Sequence, residues 1–160
     1  MRPVDALLDE YGESHLNKTN KMIHWICVPL IFFSTVGLFW SIPLGPLAGL
    51  VPSPEGDHLN WASLALGLTL VWYFRLSIPL GVGMIGVSIG MLEACEVVAD
   101  AVPLELWQTS VIIFILAWIG QFIGHKIEGK KPSFFKDLQF LLVGPMWLMH
   151  FIYKKVGIRY

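Results

Sequence analysis

One stretch constrains this chain more than any other: Met22 to Ile42, 21 consecutive residues without Asp, Glu, Lys or Arg. About 20 apolar residues in a helix cross the roughly 30 Å hydrocarbon core of a bilayer. Inside lipid each backbone N–H and C=O must be satisfied within its own segment, so the run is predicted to be one spanning helix. Three further apolar runs follow, at 60–77, 78–99 and 104–124. Only 14% of the 160 residues are charged and 55% are hydrophobic, where a soluble domain carries about 25% charged residues. The expectation is an all-α membrane protein, a single domain over 1–160 with four transmembrane helices. A net charge of −1 lacks the basic face of a nucleic-acid binder. Cys27 and Cys95 lie inside apolar runs, where a thiol acts as a small hydrophobe, so neither a disulfide framework nor a zinc cluster is expected. The first 21 residues hold Asp5, Asp9, Glu10 and Glu13 and no apolar core, unlike a cleavable signal peptide.

Residues 3–11 read as a short N-terminal amphipathic helix, with Val4, Leu7, Leu8 and Tyr11 on one side and Asp5, Asp9 and Glu10 on the other. Gly12 is a natural stop, and Asn17 can cap the helix that follows. Pro29 is expected to bend that helix. Pro43 to His58 is a proline-rich loop without basic residues. Small residues let membrane helices approach closely. The third run, with Gly81, Gly83, Gly86 and Gly90, is therefore placed inside the bundle, and the fourth closes on Gly120 and Gly124. Lys18, Lys21, Arg75, Lys126, Lys130, Lys131 and Lys136 all fall on one side of this topology, which makes the N-terminus cytoplasmic. The last apolar piece, 138–153, is about 24 Å long as a helix, contains Pro145 and is followed by Lys154, Lys155 and Arg159. It reads as re-entrant or interfacial, with the C-terminus also cytoplasmic. The membrane would be a bacterial inner membrane, or endoplasmic reticulum in a eukaryote.

That topology gathers His15, His24, His125 and His150 on one side and sends His58 to the other. Along one straight helix His15 and His24 differ by about 900°, opposite faces, so they meet only if the chain turns between Gly12 and Asn17. Asn17, Asn20 and His24 then share a face. Trp118, Gln121, His125 and Glu128 form a matching stripe at the end of the fourth run, costly to turn toward lipid. Imidazoles suit iron, zinc, copper or nickel, and Asn17, Asn20 and Gln121 suit the role of fixing ring tautomers. Each histidine reads equally as an interfacial or capping residue, and Glu128 as a surface group. Lys126, Lys130 and Lys131 serve as orientation signals or as attractors of a fatty-acid carboxylate. Glu93, Glu96 and Asp100 form a second stripe near the outer end of the third run, structural or, for Glu93, functional.

Two blocks, YGESHLNKTNKMIHWICVP and WIGQFIGHKIEGKKPSFFKDLQFLLVGP, resemble the signatures of a family of small membrane proteins whose yeast member is a 2-hydroxy fatty acid dioxygenase. His15, Asn17, Asn20, His24 and Pro29 carry the first; Trp118, Gln121, Phe122, Gly124, His125 and Pro132 carry the second. The family's acid stands one position away from Glu128, and relatives often have a glutamate near 151, where this chain has His150 and Phe151. The resemblance implies a Fe2+-dependent α-oxidation, in which a 2-hydroxy fatty acid and O2 give the acid one carbon shorter plus CO2. It implies His15, His24 and His125 as metal ligands, with His150 a fourth candidate, and Asn17, Asn20, Gln121 and Glu128 in support. Two other readings stay open: a non-catalytic membrane lipid-binding or assembly protein, and a small transporter built on the Glu93 stripe.

Overall fold

The computed structural model describes residues 2–45, 59–129 and 140–160; His58, Lys130, Lys131, Pro132 and Lys136 lie outside them. The described residues form six helices and no strand: α1 (Pro3–Gly12), α2 (Lys18–Trp40), α3 (Trp61–Leu76), α4 (Ile78–Ala101), α5 (Leu106–Glu128) and α6 (Val143–Val156). Three of them, α2, α4 and α5, are long and apolar enough to cross a membrane, while α3 is apolar but has 16 residues.

Local chemistry sets the ends. Pro3 opens α1, where its missing N–H costs nothing, and Val4, Leu8 and Tyr11 form its buried stripe. The Asn17 side chain accepts from the Thr19 and Asn20 N–H groups at 2.8 and 3.4 Å, starting α2. The helix continues through Pro29 to Trp40. Asn60 and Ser63 make a reciprocal capping box for α3, at 2.9 and 3.0 Å. Gly129 closes α5 with φ +75°, a backbone only glycine adopts cheaply.

The tightest helix pair is α2 against α5, running antiparallel, and three close approaches define it. A Cβ on Gly37 would overlap Ser110, one on Gly120 would reach Cys27 Sγ at 2.6 Å, and one on Gly124 would overlap Asn20 Oδ1. Missing side chains thus let the two backbones meet along their whole length. Around α2 gather α3, α4, α5 and α6. This corrects the expectation that the glycine-rich third run occupies the interior: half of the apolar window of α2 is buried against 17% for α4. Gly81 and Gly83 do pack, on Phe74 and Tyr153, but nothing lies within 4 Å of a Cβ at Gly86 or Gly90. A glycine brings helices together only where a partner side chain fills the space it leaves, as Cys27 and Asn20 of α2 do at Gly120 and Gly124 of α5.

Two phenols hold α6 in place. Tyr73 donates to the Leu142 carbonyl at 2.6 Å and Tyr153 to the Pro79 carbonyl at 2.7 Å. Helix α1 lies across α6, with Tyr11 edge-on to Trp147 at 5.3 Å. Arg2, paired with Asp5 at 2.8 Å, sits over the Tyr160 ring at 5.6 Å, tying the two chain ends together. Tyr73→Phe is expected to cost about 0.5–1.5 kcal/mol by removing this part-buried hydrogen bond. The measurement is thermal unfolding in detergent, with the midpoint falling about 2–4 °C per kcal/mol.

Candidate metal centre

Three elements each deliver one histidine. His15 stands on the turn after α1, its N–H bonded to the Gly12 carbonyl at 2.9 Å. His24 comes from α2 and His125 from the last turn of α5. All three are buried, at 2%, 0% and 4% exposure, and their potential ligand atoms lie within 4.8 Å of one another. The ring centroids are 4.1 Å apart for His15 and His24, 5.0 Å for His24 and His125, and 5.4 Å for His15 and His125. The rings stand edge to face rather than stacked, so their nitrogens converge.

The backbone sets two tautomers. His15 Nδ1 bonds the Tyr11 carbonyl at 2.6 Å and His24 Nδ1 the Asn20 carbonyl at 2.9 Å, each four residues back. A carbonyl only accepts, so each Nδ1 carries the hydrogen and each Nε2 the lone pair, the state in which neutral imidazole binds a metal. Imidazole nitrogens about 2.0–2.1 Å from one ion in a tetrahedral arrangement stand about 3.4 Å apart, so the three rings, whose nitrogens lie within 4.8 Å, would draw together by up to about 1.4 Å around an ion. The three buried histidines could hold a metal ion.

Glu128 explains how His15 reaches the others. Its carboxylate accepts from the Leu16 N–H at 2.9 Å, the Asn17 N–H at 2.9 and 3.1 Å, and Asn20 Nδ2 at 2.9 Å. Asn20 Nδ2 also donates to the Ser14 carbonyl at 3.0 Å. The turn that carries His15 is therefore clasped to the end of the helix that carries His125. Asn17 caps α2 and Asn20 joins the clasp, while main-chain carbonyls hold the ring nitrogens. Gln121 is buried with its Oε1 lacking a hydrogen-bond partner.

Glu128→Ala is expected to lower metal affinity about 10–100-fold, the usual effect of removing a group that orients a ligand, with Glu128→Gln intermediate because it keeps one acceptor. Metal titration of the purified variants checks this.

Other candidates fall elsewhere. His150 Nδ1 bonds the Tyr160 hydroxyl, outside the three-histidine group. Burial and then Lys154 lower its pKa below the ordinary value, against Asp9 and Asp5. Lys126 is exposed. On α4, Glu93 and Asp100 are exposed and Glu96 is half-buried.

Two residues absent from the expected set border the histidines. Tyr11 stacks on His15 at 4.3 Å with 14° between planes, and Trp147 lies 5.2 Å away, tilted. Tyr11 was findable, since it stands one helical turn before His15. Trp147 carries no such spacing signal, being 132 positions away.

A family model described as 2-hydroxy-palmitic acid dioxygenase Mpo1-like matches residues 1–156. Among curated proteins, the 2-hydroxy-palmitic acid dioxygenase MPO1 of Saccharomyces cerevisiae is 28% identical over 149 residues, covering 92% of this chain and 78% of the relative. No solved structure matches the chain.

Proposed function

The chain belongs to the Mpo1-like family, and from that premise we propose that it is an iron(II)-dependent dioxygenase of 2-hydroxy fatty acids. The overall change is a 2-hydroxy acid plus O2 giving the acid one carbon shorter, CO2 and water. The observation that carries the reading is the group of three buried histidines, two with their lone pairs directed inward by carbonyl hydrogen bonds.

In this reading His15, His24 and His125 hold iron, and His150 does not take part. Iron(II) supplies the one-electron chemistry that lets O2 react with a closed-shell acid. The protein's own share is positional. The carbonyls of Tyr11 and Asn20 keep two imidazoles in one tautomer, and Glu128 keeps the His15 turn docked. Tyr11 and Trp147 cover His15 and limit water around it. Lys126 draws the substrate carboxylate to this end of the bundle, and Lys130 and Lys131 follow it in the sequence. Apolar faces of the helices take the tail. Four spans, α2 to α5, with α6 at the interface and both termini cytoplasmic, would set the histidines at the membrane edge, where a lipid acid arrives head first. Glu93 is exposed on α4 and is not part of the histidine group, so it has no role in this reading.

The test is direct. Protein purified in detergent is expected to bind iron and to convert 2-hydroxypalmitate with O2 to pentadecanoate and CO2. Folded, iron-loaded protein that leaves 2-hydroxypalmitate intact refutes the reading.

A further inference from the structure

A small chamber lies against Tyr11, the residue that separates it from His15. It is bounded by Tyr11, whose ring stacks on His15, and by Val28, Gln121, Leu141 and Gly144, and holds about 20 Å³, room for one water-sized group. A Cβ on Gly144 would press on Val28 Cγ1 at 3.0 Å and Tyr11 Oη at 3.2 Å, so glycine keeps the chamber open. The Oε1 of Gln121, 6% exposed overall, is a buried acceptor without a hydrogen-bond partner there. The chamber is therefore suited to a donor such as a hydroxyl.

Leu141 is a shared wall. On its other side a cavity of about 360 Å³ runs between α2 and α3, lined by Phe32, Thr35, Phe39, Ala65 and Thr69 among others. Val28, Phe32, Thr35 and Phe39 follow one face of α2 and span about 16 Å along its axis. The two threonines ask nothing polar of a guest, because Thr35 Oγ1 donates to the Ile31 carbonyl and Thr69 Oγ1 to the Ala65 carbonyl, both at 2.8 Å. Polar acceptor, chamber and apolar groove are thus neighbours, the last two meeting at Leu141, and together they offer the polar and apolar surroundings that a 2-hydroxy acid requires.

We infer that the substrate's acyl tail lies in this groove between α2 and α3, and that Ala65 and Thr69 limit its length. The inference rests on the 2-hydroxy fatty acid reading. A second apolar cavity of about 170 Å³, between α2, α4 and α6 and lined by Pro29, Met91 and Leu148 among others, is the competing route.

The experiment uses the full chain in lipid nanodiscs and 2-hydroxypalmitate with a photoreactive diazirine at its tail end. Cross-links are expected within Trp61–Leu76, displaced by excess 2-hydroxypalmitate and not by phospholipid. Ala65→Phe, and independently Thr69→Phe should the first not fold, are expected to keep wild-type metal content. Each should lower kcat/KM on 2-hydroxypalmitate at least about tenfold and change it on 2-hydroxyoctanoate by less than about twofold, since a few lost methylene contacts account for such ratios. Displaceable labelling at Met91 or Leu148, or an equal loss on both chain lengths in metal-loaded variants, overturns the inference while the activity stands. A wild-type protein that processes no 2-hydroxy acid ends both.

Discussion

His24→Ala is expected to reduce bound metal from stoichiometric to background and to abolish turnover. His24 is the ring through which the group is joined: its centroid is 4.1 Å from His15 and 5.0 Å from His125, whereas those two are 5.4 Å apart. Its side chain is fully buried, so no other donor moves in from solvent. Loss of a group that merely orients a ligand costs about 10–100-fold in affinity, and loss of the ligand itself costs more. The substitution also strips the Asn20 carbonyl of the Nδ1 hydrogen bond, a penalty of about 1–3 kcal/mol that appears in the unfolding midpoint rather than in metal content. His150→Ala, with its ring on Tyr160, is the control expected to keep full metal. Elemental analysis of both variants decides the matter: metal retained in folded His24→Ala removes these histidines as the site.

Gly124→Val is expected to destabilise the protein by about 1–3 kcal/mol or more, as overpacking of a tight contact does. A Cβ there falls onto Asn20 Oδ1 and lies 3.4 Å from both His24 Cε1 and Ile23 Cγ2. The branched side chain makes each contact worse. Relief requires α2 and α5 to separate, and His125 stands one residue from the pivot. Metal content and unfolding temperature should therefore fall together, by about 2–4 °C per kcal/mol for the latter. Gly90→Val on α4, with open space at its Cβ, is expected to change neither.

How far these outcomes are readable from the chain alone depends on distance along it. The Asn17 cap is an interaction within three residues, and the structure has it. Helix α1 does end near Gly12, but Gly12 is its last helical residue and Glu13 is the cap, with a right-handed backbone at φ −59°. The requirement that the chain turn between His15 and His24 followed from helical geometry, and the turn is present. The central place of α2 was not legible. The glycines of α4 and those of α5 look alike in sequence, but Gly120 and Gly124 meet Cys27 and Asn20, while Gly86 and Gly90 meet nothing.

Glu128 shows the same limit from the polar side. Its charge and its place on the His125 stripe were visible, yet its partners stand 108 to 112 positions away, and only the docked helices show that it holds the His15 turn.

By itself the sequence determined the all-helical class and the ends of the early helices, and it gathered four histidines at one end of the bundle, because periodicity, capping and apolar length act locally. That His15, His24 and His125 meet while His150 stands apart is a matter of tertiary structure. The tertiary structure alone decided which helix is central, which nitrogen of two rings carries the hydrogen, and how His15 is clasped beside His125. Those depend on which faces meet across more than a hundred residues of chain, and no local preference encodes that.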